Sequence, residues 1–68
     1  MPESLAEALP QEQARVRKIL GHYREIGAPG KFAVVMIEQS LRNTDRAVMS
    51  GDVIEMMRAY EDLRGISE

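Results

Sequence analysis

Residues 31–49, KFAVVMIEQSLRNTDRAVM, form the longest unbroken helical pattern in the chain and limit its fold more than any other stretch. At about 100° per residue, Ala33, Val34, Ile37, Leu41, Thr44 and Val48 share one broad face, which Phe32, Met36 and Ala47 widen. Val35 points the opposite way. Glu38, Arg42 and Arg46 make a polar ridge with Asp45 at its edge, and Glu38 and Arg42 have i,i+4 ion-pair spacing. The helix is therefore amphipathic after Glu38 and apolar all round before it, and a helix apolar on every side must be covered on every side. The run FAVVMI alone also fits a buried strand, but the helical pattern continues past it and no second strand is on offer.

The chain has 68 residues, enough for one domain and too few to bury a large core alone. Small chains compensate with disulfides, a metal or a partner. There is no Cys and one His, so neither a disulfide nor a thiolate or His-cluster zinc site is available, and no cofactor is expected. A partner subunit remains. The net charge of −2, with 29% charged residues, argues against a dominant electrostatic attraction to nucleic acid. No apolar run approaches the roughly 20 residues of a membrane span, and MPESLAEALP lacks the basic start of a signal peptide. The expected location is the cytoplasm.

Three helices are expected. Ser4 and Glu7 have capping-box spacing, but the helix they would open meets Pro10 within two turns, so residues 1–9 read as a short helix or flexible tail. Pro10 suits a first helical position, and the first main helix runs from there to Ile26. Its stripe is Val16, Ile19, Leu20, Tyr23 and Ile26, with Gly21 on the far side and Gly27 as C-cap. Ala28-Pro29-Gly30 is a tight connection to the central helix, near Lys31–Met49. Asp52, with Glu55 three residues on, caps a third helix, Val53–Arg64. Val53, Met56, Met57, Tyr60 and Leu63 line its expected inner face. Gly65 ends it, with Ile66 placed for a Schellman-type contact. The fold class is all-α: a three-helix bundle or open helical hairpin over residues 10–66, with 67–68 as a tail, completed by homodimerisation.

Chemistry-bearing patterns are sparse. His22 lies at the polar edge of the first helix, and the serines stand in no nucleophile-elbow setting. Glu55, Glu61 and Asp62 read as a solvated face, because no loop supplies the further oxygens a hard cation needs. Gly27-Ala28-Pro29-Gly30-Lys31 lacks the second Gly and the Ser or Thr of a phosphate loop. Arg15, Arg17, Lys18 and Arg24 cluster in sequence, but only Arg17 and Arg24 clearly share a helix face, and phosphate-backbone contact takes several aligned cations. No catalytic or metal-ligating residues emerge.

Apolar residues with nothing left to cover them are the stronger signal. Met56 and Met57 fit core filling, whereas Phe32, Val35, Met36, Met49 and Ile54 read as a self-association or partner surface. A two-fold contact pairing Phe32, Val35 and Met36 with the same residues of a second copy closes the assembly. The expected function is a non-catalytic protein–protein interaction or accessory module. The alternative is a small nucleic-acid-associated regulator.

Residues 40–66, SLRNTDRAVMSGDVIEMMRAYEDLRGI, resemble one helical hairpin of the tetratricopeptide kind, in the turn marked by Ala47, Gly51 and Asp52 and in the later pair Ala59-Tyr60. The resemblance implies two packed helices joined at a short turn, and a single copy reads as hairpin chemistry alone. The chain as a whole, with MIEQSL followed by SGDVIEMMRAYEDL, also resembles small helical accessory proteins of bacteriophages and prophages. That resemblance implies a bacterial cytoplasmic setting and assigns no functional residues.

Overall fold

Local signals at the chain's turns set most of the helix limits. Gly27 adopts φ 82°, ψ −140°, a region open essentially to glycine alone, and its N–H donates to the Arg24 carbonyl at 3.1 Å. Gly51 takes the left-handed conformation at φ 72° and donates to the carbonyls of Ala47 and Val48. The Asp52 carboxylate accepts from the backbone N–H groups of Ile54 and Glu55, at 2.9 and 3.3 Å. The structure, a computed structural model, describes residues 4–67. It contains α1 (Leu5–Ile26), a single 3₁₀ turn (Ala28–Gly30), α2 (Lys31–Ser50) and α3 (Val53–Arg64). Each helix packs against both others. Residues 1–3 and 68, part of the expected tails, lie outside the described residues.

The first helix starts five residues earlier than the proline rule suggests. Ser4 is its N-cap, accepting from the Glu7 N–H at 3.2 Å, and Pro10 lies inside it. A proline there removes the bond to the Ala6 carbonyl, but Ala6 is exposed, so water can take that carbonyl. The compensating gain is apolar burial: Leu9 is 1% exposed and Leu5 packs against the core.

The core comprises Leu9, Val16, Ile19 and Leu20 of α1, Ile37 and Leu41 of α2, and Leu63 of α3. Ala47, Ala59 and Thr44 are also buried. Thr44 is fully buried, and its hydroxyl donates to the Ser40 carbonyl one turn back at 2.9 Å, so the buried polar group is satisfied. Gly30 is buried because the chain turns tightly onto α1: a Cβ built there would lie 2.5 Å from the Tyr23 carbonyl oxygen. Gly21 has nothing within 4 Å of such an atom.

Several expected core positions are corrected. On α2 the buried face passes through Ala47 instead of Val48, which is half exposed, and Phe32 faces solvent instead of widening the core. On α3 the buried residues are Ala59 and Leu63, so Val53 and Met57 fall at the edge and stay exposed. Buried Ala47 and Ala59 line one cleft between α2 and α3, so the two helices meet there through small side chains, with Val48, Val53 and Met57 off that seam. Ile26 is exposed in the last turn of α1, where the chain leaves the bundle. Gly65 keeps a right-handed φ of −74°, so the end of α3 is not a Schellman turn. Ile66 N–H donates to the Leu63 carbonyl at 3.1 Å, and its side chain packs on the core.

Candidate functional site

The five residues read as a self-association surface are all exposed: Phe32 77%, Val35 and Met36 54% each, Met49 89% and Ile54 63%. The structure divides them. Phe32, Val35 and Met36 lie at i, i+3 and i+4 over the first turns of α2, the spacing of a helix that seats apolar anchors in a partner. Met49 and Ile54 flank the turn between α2 and α3, about 20 Å further along α2 at 1.5 Å per residue. Val48, Val53 and Met57 share that corner and are also exposed. The chain therefore presents two apolar patches, one at the start of α2 and one on the first turns of α3.

The polar residues around the first patch are sorted by sign. The two acids of α2 turn toward α1: Glu38 pairs with Arg24, and Asp45 accepts from the Gln13 side-chain amide at 2.9 Å. The expected Glu38–Arg42 pairing is thus replaced by a bond between helices, and Arg42 donates to Gln39 at 3.1 Å instead. A bond to a neighbouring helix also fixes packing, which a bond along one helix does not. The cations of α2, Lys31, Arg42 and Arg46, are exposed. At the helical period they lie with Val35 and Phe32 on the side opposite buried Ile37 and Thr44. The open face of α2 itself therefore carries apolar and cationic side chains, while Glu61 and Asp62 of α3 lie beside Met36 and Asp62 and Glu55 share a cleft with Arg46.

Charge around the second patch is mixed: at the helical period Arg58, Glu61 and Arg64 flank Ile54 and Met57, whereas Glu55 and Asp62 line the cleft shared with Arg46 of α2. From Asp52 to Arg64 the chain carries four acids, Asp52, Glu55, Glu61 and Asp62, against two arginines. Arg58 pairs with Glu55 at 3.7 Å, and Arg64 lies over the Tyr60 ring at 5.7 Å. Val53 and Met57 line an open groove with Leu5 and Ala8 of α1 and Glu61 at its rim.

The basic cluster of α1 is partly spent inside the fold. Arg15 donates to the carbonyls of Leu63 and Ile66, at 2.8 and 2.9 Å, while Glu12 holds its guanidinium at 3.1 Å. It caps the C-terminus of α3, where a cation is favourable. No short-range signal reveals this role, because the partners are 48 and 51 residues away. Arg24 is engaged with Glu38. His22 is exposed. Among the described residues no three His, Cys, Asp or Glu side chains group to hold a metal, and no helix is long and apolar enough to cross a membrane. Comparison with known protein families, with characterised proteins and with solved structures found no match.

Proposed function

We propose that the chain is a non-catalytic, cytoplasmic interaction module that self-associates through the start of α2. The observation carrying this reading is the exposure of Phe32, Val35 and Met36 on one helix face in a chain too small to cover them itself. Exposed aromatic and Met side chains at helical spacing are anchors that a second helix can cover. The resemblance of residues 40–66 to one tetratricopeptide hairpin, and of the chain to small phage accessory proteins, fits a small module acting through contacts.

Light scattering across a dilution series tests the proposal, comparing the natural chain with Val35→Glu. The expected result is a mass above one chain at high concentration. In Val35→Glu the mass falls to that of one chain while the helical circular-dichroism signal is kept, since Val35 is exposed. A mass of one chain at every concentration would overturn the reading.

The cations Lys31, Arg42 and Arg46 on the open face of α2 favour a second reading, a nucleic-acid-associated regulator. Such a protein binds DNA or RNA with an affinity that falls steeply as salt rises. Titration of a labelled duplex and a labelled single strand at two salt concentrations separates the two readings. Three cations are few for that task, which is why self-association leads.

A further inference from the structure

We propose that the groove between α1 and α2 is a binding site for a ligand carrying linked phosphate groups. It is lined by Arg17, Leu20 and Arg24 of α1 and by Glu38, Leu41 and Arg42 of α2, and its volume is about 350 Å³. Three guanidinium groups thus meet one carboxylate, in a chain whose net charge is −2. Glu38 pairs with Arg24, and Arg42 donates to the Gln39 side chain. Arg17 makes no hydrogen bond or ion pair among the described residues. Asp45, the other acid that α2 turns toward α1, accepts from Gln13. Even with Asp45 included, the arginines outnumber the acids along this edge.

Leu20 and Leu41 are buried and form an apolar floor between the cations. A floor of low polarity strengthens the field of the charges above it, and a cleft lined mainly by one sign concentrates ions of the other. Geometry selects phosphate. A carboxylate offers two oxygens, which match one guanidinium fork, whereas a phosphate turns oxygens toward several forks at once. Arg17 and Arg24 share one face of α1, and Arg42 reaches the same groove from α2. Seven residues separate the two α1 arginines, about 10 Å along the helix axis at 1.5 Å per residue. That spacing suits a row of phosphates better than a single one. Free polyphosphates and a nucleic-acid backbone share this chemistry. Arg17 and Arg24 lie outside the surface assigned to self-association, so the site stands or falls independently of that reading.

Isothermal titration calorimetry with inorganic triphosphate at low salt tests the site. The natural chain should bind, and Arg17→Gln and Arg42→Gln should each weaken binding roughly tenfold to a hundredfold. Arg58→Gln makes the same change of net charge on α3 and should leave the affinity as it was. Glu38→Gln removes the competing carboxylate and should tighten binding. Circular dichroism checks that the variants are folded, and Arg17, which has no partner to lose, keeps the test open should Arg42→Gln or Glu38→Gln unfold. A labelled single strand in the same titrations identifies the source of the phosphate. Strand binding that needs Arg17 and Arg42, without triphosphate binding, upholds the site and assigns it to a nucleic-acid backbone. Failure of both probes to bind overturns the proposal. Equal weakening in Arg17→Gln, Arg42→Gln and Arg58→Gln also overturns it, because net charge alone would then explain the affinity.

Discussion

Single residues with opposite surroundings give the sharpest tests of the fold. Gly21 and Gly30 are the same residue type nine positions apart, yet their neighbourhoods differ. Gly30→Ala places a methyl group 2.5 Å from the backbone oxygen of Tyr23, which cannot move without shifting the end of α1. Overpacking of this kind costs about 1–3 kcal/mol, a fall in Tm of roughly 4–8 °C per kcal/mol for a domain of this size. Gly21→Ala meets nothing within 4 Å and sits inside a helix. It should raise stability by up to about 1 kcal/mol through better helix propensity. Thermal unfolding of the two variants should show shifts of opposite sign, and a destabilising Gly21→Ala or a neutral Gly30→Ala would contradict the packing described. A glycine mid-helix is visible in the sequence, but the carbonyl that makes Gly30 necessary is brought there by the turn itself.

Helices with local punctuation were legible, and those shaped by distant contacts were less so. The limits of α3 follow from Asp52 and Gly65, and those of α2 from the Gly30 turn and Gly51, all signals within a few residues of the boundary. The start of α1 was obscured because Pro10 is a strong local signal, whereas the burial of Leu9 that overrides it depends on contacts outside the segment. The inward faces were legible to within one position, since period alone cannot tell Ala47 from Val48. The exposure of Phe32, Val35, Met36, Met49 and Ile54 was legible as apolar surplus, but the pairing of Glu38 and Asp45 was not, because both reach across to α1. Arg15 belongs to this scale as well, as the tie between the middle of α1 and the end of α3. Arg15→Ala removes charge-assisted bonds to two carbonyls and should cost about 1.5–3 kcal/mol. Arg15→Lys should recover only part, since an ammonium lacks the planar fork. Hydrogen exchange at Arg64, Gly65 and Ile66 should quicken in Arg15→Ala. Unchanged exchange and Tm would mean that Ile66 packing alone holds the end of α3.

The whole molecule joins these contacts to a thin core. Among the described residues, seven buried side chains form its apolar cluster, while nine large apolar side chains remain exposed. A 68-residue chain buries a modest fraction of its surface, so its own margin of stability is small. On the self-association proposed above, covering the exposed faces by a second copy would contribute to folding itself as well as to assembly. Binding that favours only the folded state stabilises it by about 1.4 kcal/mol for each tenfold rise in partner concentration above Kd. For a domain this small that corresponds to roughly 5–10 °C in Tm per tenfold. The natural chain should accordingly melt at a temperature that climbs with its own concentration. Val35→Glu should melt at one temperature throughout, matching the natural chain at high dilution. Scanning calorimetry over a hundredfold range measures this directly. A concentration-independent Tm in a sample that light scattering shows to be assembled would place the contact outside the cooperative unit. The three helices would then hold their arrangement through Leu9, Val16 and Leu63, and the open faces of α2 and α3 would serve association alone.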